Sequence, residues 1–363
     1  MTGLPSQPAS PVPEEENASR LAGGAVDLAV VIVNYRCAED TVACLDKVFA
    51  HADGLRLEVV VVDNCSGDGS PRLIAEAHPT VRVIERDHNG GFAAGVNEGF
   101  AATRAPFVLL LNPDAELLPG ALAALFAHLR RQPRTAVVAP IVVRPDGTPA
   151  PNGYRRFPGP FLVGFDVCVL PGYLFALAPR LHPYAISIGE LEAGVEPAWV
   201  SGSALLARRE AYLQAGPFDE GFFLYFEELE WQERLRKLGW GVAVEPRARV
   251  VHRVRGGGAE SYVHSPHWVR SAIYYLTEIK GHRFAWAKLA VGTGLALSWL
   301  TAACLRRLPI GRIQVRAAAQ AAGYRKLLRF LAQEVSRDAR HRGGSSPQSG
   351  SLPDASCDAK PGG

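Results

Sequence analysis

Net charge is nearly absent from this chain: 39 basic residues against 36 acidic ones leave a formal +3. So small an excess gives no argument for a nucleic-acid partner. The six cysteines, Cys37, Cys44, Cys65, Cys168, Cys304 and Cys357, form no CxxC pair. Neither a zinc site nor a disulfide framework is expected, and reduced thiols in a cytosolic protein are. No basic segment followed by an apolar one opens the chain, so no signal peptide is expected. The first apolar run ends in Asn34-Tyr-Arg-Cys-Ala-Glu39 without a glycine. That excludes the GxGxxG dinucleotide turn, and a P-loop is missing too. The Gly-rich, basic phosphate loop usual in sugar nucleotidyltransferases is likewise missing.

What remains is a globular composition with an apolar bias, 48% hydrophobic and 21% charged. Apolar runs at Leu28–Val33, Leu57–Val62 and Phe107–Leu111 read as buried strands, and Val81–Ile84 and Val137–Val143 as two further strands. Between them lie helical patterns over Glu39–Ala50, after Pro71, from Gly91 to Phe100, and over Leu117–Arg131. This alternation predicts an α/β domain with a mostly parallel sheet, covered by helices. Pro145-Asp-Gly147 signals a hairpin turn, and residues 149–194 resist assignment. Ala198–Leu206 reads as a strand with a central glycine, the later part of Phe222–Leu238 as a helix, and Val242–His252 as a strand pair.

Three predicted strands end in polar residues at one sheet edge: Asn34-Tyr35, Asp63-Asn64 and Asn112-Pro113-Asp114. Ligands bind at that edge in open α/β sheets. Any one of these residues is ordinary turn chemistry; their convergence predicts a site. Asp114 suits a Mg²⁺ or Mn²⁺ ion shared with a substrate's phosphates. Asn34, Tyr35 and Asp63 suit a base and ribose.

The ordered set Val31–Tyr35, Val61–Asn64 with Gly67–Ser70, Asn89–Asn97, Leu110–Asp114, Trp199–Gly202 and Phe222–Glu228 resembles family-2 glycosyltransferases, nearest the rhamnosyltransferase-like branch. The resemblance runs from about residue 27 to about residue 255. It implies a GT-A-type, nucleotide-binding sheet, a nucleotide-sugar donor and a divalent metal, Mg²⁺ or Mn²⁺. Asn112-Pro-Asp114 stands where that family has its DXD motif, with Asn112 replacing the first Asp. Asp114 is then the carboxylate ligand, and His252 matches a family histidine that completes the site. Without the family, His252 is an ordinary strand-end histidine. Glu227-Glu-Leu-Glu230 stands where the family has Glu-Asp-x-Asp, so Glu228 takes the place of the base, with Glu227 as the alternative. Such a cluster is also what a solvated helix start carries.

The resemblance also assigns donor contacts to Asn34, Tyr35, Asp63, Asn64, Asn89, Gly90, Gly91, Asn97 and Asn112. It assigns acceptor contacts to Trp199, Ser201, Gly202 and Glu230. Several have plainer readings. Gly90, Gly91 and Gly95 suit either a diphosphate or a helix start. Asn97 is a polar wall or a solvent-facing helix residue. Trp199 and Trp231 stack on sugar or fill a core. Gly202 admits an acceptor or marks a bulge.

From Gly281 to Gln333 there is no Asp or Glu but nine Lys or Arg, around the uncharged stretch Leu289–Leu305. Basic flanks on an apolar helix predict peripheral attachment to an anionic membrane surface. The expected organisation is a disordered tail over 1–24, a donor half over 25–145, and an acceptor and catalytic half over 146–258. A helical membrane-associating extension follows over 259–337, then a disordered tail over 338–363. The expected activity is inverting, metal-dependent transfer of a sugar, with dTDP-rhamnose the favoured donor. The acceptor is a glycan or a polyprenyl-diphosphate-linked glycan at the cytoplasmic face of a bacterial membrane. A catalytically inactive relative that binds nucleotide or glycan is the alternative.

Overall fold

The computed structural model of the protein describes residues 26–148, 154–155, 186–253, 265–307 and 311–342. The expected tail over 1–24, residues 343–363 and most of 149–194 lie outside the described residues, while 338–342, expected in the disordered C-terminal tail, end a helix.

Strands β1 (Leu28–Asn34), β2 (Leu57–Asp63), β3 (Arg82–Glu85) and β4 (Phe107–Leu111) form the parallel part of an eight-stranded sheet. Every residue of β1 and β4 is buried, which is why both are uninterrupted apolar runs. Leu28, Val30 and Ile32 face one core, with residues of α1 (Ala38–Ala50), α2 (Ser70–Ala77) and α4 (Ala121–Arg131). Ala29, Val31 and Val33 face the other, with α3 (Gly91–Ala102). Burial of one such Val or Leu contributes about 1.5–3 kcal/mol. Helix α3 lies hard against β1: a Cβ at Gly99 would stand 2.2 Å from Val31 Cγ1, and one at Gly95 2.7 Å from Val33 Cγ1. The Gly95 position therefore serves helix–sheet packing.

The second half of the sheet follows the order β4-β9-β6-β10-β5, with β5 (Ala115–Leu117), β6 (Thr135–Val143), β9 (Ala204–Arg208) and β10 (Gly241–His252). Strand β9 runs antiparallel to β4 and β6, and β5 antiparallel to β10; the other four neighbouring pairs are parallel. The helix expected over Leu117–Arg131 thus begins later, at Ala121, because Ala115–Leu117 is taken up by pairing with β10. The expected strand over 198–206 is two: β8 (Trp199–Val200), paired with β7 (Tyr154–Arg155), and β9, separated by a turn at Ser201–Ser203.

Only Asn112, Pro113 and Asp114 separate β4 from β5, yet three strands lie between them in the sheet order. Four strand spacings would be about 19 Å if flat. The short connection reaches about 14 Å fully extended, so the sheet must curl. The curl comes from β10, where the register against β6 slips between Glu245 and Arg249. The slip sits opposite Pro140, which brings no N–H to the ladder. The expected strand pair at Val242–His252 is therefore one bent strand.

Helix α5 (Ile188–Glu192) carries a capping box between Ser187 and Glu190 inside the stretch that resisted assignment. Helices α6 (Arg209–Ala215) and α7 (Glu227–Lys237) follow. Helix α8 (Pro266–Tyr274), a π-helical turn (Tyr275–Ile279), α9 (Phe284–Leu305) and α10 (Gly311–Arg342) form the C-terminal part. A third apolar cluster joins Phe222 and Leu229 to Trp268, Tyr275, Val291, Leu295, Tyr324 and Leu327. The extension is thus packed onto the segment that leads into α7. The expectation of reduced cysteines fails at Cys65, which is disulfide-bonded to a partner outside the described residues. Cys37, Cys44 and Cys304 are thiols.

Candidate active site

The parallel register sets Asn34 beside Asp63 at the strand ends. Asn34 Nδ2 donates to Asp63 Oδ1 at 2.6 Å, and the Ser66 amide donates to Asp63 Oδ2 at 2.9 Å. Thr41 Oγ1 donates to Asn34 Oδ1 at 2.8 Å. Asn64 donates to the Gly91 carbonyl and accepts from Arg86. Asn34, Asp63 and Asn64 are all buried. They lock the loop that presents Tyr35, which is 42% exposed at the edge with Arg36 over its ring.

Asn89 Oδ1 accepts from the Gly91 amide. Gly91 has φ +86°, and a Cβ there would stand 2.2 Å from the Phe223 carbonyl oxygen. Only glycine fits, and the next amide, Phe92, donates to that carbonyl at 2.8 Å. The glycine turn is therefore tied to the segment before α7. Asn97 is neither an open polar wall nor a solvent residue. Its amide donates to the Phe218 carbonyl and Glu220, and its oxygen accepts from the Phe218 amide and Tyr212. It fastens α3 to the same segment.

Asp114 and His252 meet because β5 and β10 pair with Ala115 opposite His252. His252 Nε2 lies 3.0 Å from Asp114 Oδ1, on a partly exposed rim. Among the described residues no third His, Cys, Asp or Glu joins them. One carboxylate oxygen and one imidazole nitrogen on an open rim fit a divalent ion that takes its other ligands from water and a substrate diphosphate.

The end of β4 also reaches the turn before β9. The Asn112 amide donates to the Ser203 carbonyl at 2.9 Å. One residue earlier, the Gly202 amide points at Glu228 Oε1 over 3.5 Å. A Cβ on Gly202 would lie 3.5 Å from the Glu228 side chain, so the turn leaves the carboxylate room. Ser201 Oγ accepts from the Ser203 amide and shapes this turn.

Tyr225 and Phe226, just before α7, both have left-handed backbone, with φ +71° and +73°. Such strain costs about 1–3 kcal/mol per residue and persists only where surroundings enforce it. Phe226 is held by Trp268 and Tyr275, and the Leu224 carbonyl by Ser271 Oγ. This kink delivers Glu227 and Glu228 as a pair at the helix start. Glu227 Oε2, Glu228 Oε2 and Trp199 Nε1 are buried without a hydrogen-bond partner among the described residues. Burial, then the neighbouring Glu228, push the Glu227 carboxyl well above the ordinary glutamate range. Burial raises Glu228 as well, but backbone amides including that of Gly202 pull against it. Both carboxyls therefore hold a proton more tightly than an exposed glutamate does.

The remaining expected residues divide. Glu230 is bound by Arg234 at 2.8 Å, and Arg234 reaches on to the Ala215 and Pro217 carbonyls. Trp231 is fully buried, stacked on Phe218 at 4.7 Å, so it fills the core. Gln232 escaped the sequence reading. Fully buried, it accepts from the Val200 amide and donates to the carbonyls of Val200 and Glu228. It clamps the Trp199–Gly202 turn to the helix carrying the glutamate pair. A polar residue four positions after Glu228, on the same helix face, was the available signal.

Residues 29–180 match the model of glycosyl transferase family 2. N-acetylglucosaminyl-diphospho-decaprenol L-rhamnosyltransferase of Mycobacterium tuberculosis is 32% identical over 210 residues, 54% of this chain and 66% of that protein. The chain thus spans just under two thirds of that relative. Rhamnosyltransferase WbbL of Escherichia coli is 23% identical over 52% of this chain and 69% of its own. A mannosyltransferase from Pyrobaculum calidifontis, solved with GDP-Man and Mn²⁺, aligns over 87% of each chain at 18% identity with a TM-score of 0.48. The match of residues 29–180 to glycosyl transferase family 2 and the similarity to two rhamnosyltransferases agree with the ordered motifs and the α/β sheet of this chain.

Proposed function

We propose that this protein transfers a sugar from a nucleotide donor to a hydroxyl of a glycan acceptor, with inversion at the anomeric carbon. The observation that supports this most is the meeting of three elements. The end of β4 brings Asp114 to His252, the turn before β9 touches β4 at Ser203, and Glu228 lies against Gly202 in that turn. A donor side and an acceptor side thus share one edge.

Glu228 is the base. Its carboxyl is raised and lies against the Gly202 amide, and raised basicity suits removal of a hydroxyl proton. Direct displacement needs no nucleophilic side chain. The acceptor oxygen forms the new bond to the anomeric carbon while the bond to the diphosphate breaks, and Glu228 takes the proton. The unpartnered Trp199 Nε1 would donate to an acceptor oxygen, a role supported by its being buried without a hydrogen-bond partner among the described residues. Tyr35 covers the base or ribose, and the Asn89–Gly91 turn approaches the diphosphate. Asp114 and His252 would hold Mg²⁺ or Mn²⁺, with Asn112 alongside. When bound, the ion neutralises charge on the departing nucleoside diphosphate.

dTDP-rhamnose is the favoured donor, and a polyprenyl-diphosphate-linked glycan the favoured acceptor. The sugar and the acceptor are supported by the name of the mycobacterial relative, and the dTDP nucleotide by the family resemblance alone. A lipid-linked acceptor makes peripheral attachment to the cytoplasmic leaflet useful, since the donor is soluble and the acceptor is not. The test is a donor screen with Mn²⁺ or Mg²⁺, reading nucleoside diphosphate release and product mass. Release of dTDP from dTDP-rhamnose, with rhamnose on a lipid-diphosphate acceptor, is expected. Release from another donor alone would move the donor assignment. No release from any donor would leave a binding relative.

A further inference from the structure

Helix α9 is apolar on two opposite faces, and only one of them is used inside the protein. Ala287, Val291, Leu295, Ser298 and Ala302 are buried at helical spacing. They face the third core, and at Gly292 a Cβ would stand only 3.2 Å from Leu331 of α10. On the other face Trp286, Leu289, Thr293, Leu297, Leu300 and Cys304 recur every three or four residues, and all are exposed. The four large ones are 49–64% exposed. A regular stripe of large apolar side chains about 27 Å long is costly in water and marks an interaction surface.

Charge selects the partner. Arg283 precedes the stripe and Arg306 and Arg307 follow it, all exposed. A second copy paired antiparallel along this helix would set Arg283 of one chain beside Arg306 and Arg307 of the other. No acidic residue between Gly281 and Gln333 could compensate. An anionic lipid leaflet meets both ends favourably while its acyl chains take the stripe.

The helix is also long and apolar enough to cross a membrane, with one candidate span at Ala285–Leu305. The packing argues against crossing. The buried face of α9 is held by α10, whose Arg325, Lys326 and Arg329 are exposed. Crossing would carry these cations into hydrocarbon or strip α9 from its partner.

We propose that α9 lies in the plane of an anionic leaflet, with Trp286, Leu289, Leu297 and Leu300 bedded among the acyl chains. This rests on the membrane attachment proposed above and names its contact face. The same helix contributes Val291 and Leu295 to the cluster containing Phe222 and Leu229. The leaflet surface is therefore one packed layer from the glutamate pair, where a lipid-linked acceptor would present its sugar.

The test uses the full chain and vesicles of phosphatidylcholine with phosphatidylglycerol, against pure phosphatidylcholine. The triple variant L289S/L297S/L300S changes only exposed side chains. It should bind anionic vesicles at least about tenfold more weakly, with unchanged dTDP release from soluble donor. Fluorescence of a tryptophan at mid-helix position 297, isolated by subtracting the wild type from the L297W variant, should be quenched by bromines near the headgroup and little by bromines at the acyl ends. Unchanged binding of the triple variant would overturn the stripe while leaving attachment through the cations. Equal quenching at both depths would overturn the in-plane orientation in favour of crossing. No binding by the wild type would overturn both attachment and stripe, without touching the transfer chemistry. A lipid-free dimer that the triple variant dissolves would assign the stripe to a second copy. If the triple variant melts early, the depth read at position 297 by L297W decides alone.

Discussion

Asp114 Oδ1 and His252 Nε2 stand 3.0 Å apart although 138 positions separate them in the chain. The antiparallel pairing of β5 with β10 makes that contact. If the two share one divalent ion, D114A should abolish the Mn²⁺-dependent part of nucleoside diphosphate affinity. H252A should weaken it by about tenfold or more, and the double variant should be no worse than D114A. Calorimetry with Mn²⁺ and with chelator reads this. Full affinity in H252A would leave His252 as a structural neighbour only.

Glu228 is expected to carry the acceptor proton. E228Q should lower kcat roughly 10²-fold or more with donor affinity nearly intact. Because its carboxyl is raised by burial, the acid limb of kcat/KM should lie above the ordinary glutamate value of 4.5. An acid limb at or below that value, or a crippled E227Q beside a mild E228Q, would move the base to its neighbour.

Glu227 should cost the protein stability at neutral pH. Its folded pKa is raised by burial and by Glu228. The folded state therefore holds more protons than the unfolded one above pH 4.5, and stability falls as pH rises through that window. E227Q removes the ionisable group. Its Tm should exceed the wild type's at pH 8 and match it near pH 4.5. Equal Tm values at both would mean the Glu227 carboxyl is not desolvated.

Gln232 should act on the acceptor and not on the donor. Q232L breaks three hydrogen bonds to Val200 and Glu228 and frees the Trp199–Gly202 turn. Misplacement of that turn should cost about tenfold or more in kcat over acceptor KM. Donor affinity should stay within twofold. Q232E still accepts from the Val200 amide and should recover part of the loss. Loss of donor and acceptor affinity in parallel with Tm would reduce Gln232 to a core residue.

Far from the site, Glu245 sets acid stability. Burial pushes its carboxyl up, but Arg247 at 2.8 Å and His128 at 3.2 Å outweigh this and hold it at about 2. A depressed carboxylate stabilises the fold above the unfolded value of 4.5 and ceases to do so as pH falls toward 2. E245Q should lower Tm at pH 7 and flatten the acid transition between those values. An unchanged acid profile in E245Q would show that these partners contribute nothing.

The ladder of strands β1, β2 and β4 was legible because each is buried on both faces. Two-sided burial forces an unbroken apolar run, and the run ends where the polar edge begins. Asn34, Asp63 and Asp114 could therefore be placed at one edge from spacing alone. The apolar stretch of α9 and its cationic surroundings were legible for a similar reason, since charge and hydropathy are properties of single residues. What spacing could not give was long-range pairing. Leu117 opens a helical pattern and joins a strand only because β10, bent at its slip opposite Pro140, arrives beside Ala115–Leu117. The roles of Asn97, Glu230 and Trp231 had the same dependence. A polar or aromatic residue near a site can reach a ligand or hold the wall, and the choice belongs to whatever packs against it. Here Phe218 and Arg234 made that choice, and the sequence by itself determined only the edge at which it would be made.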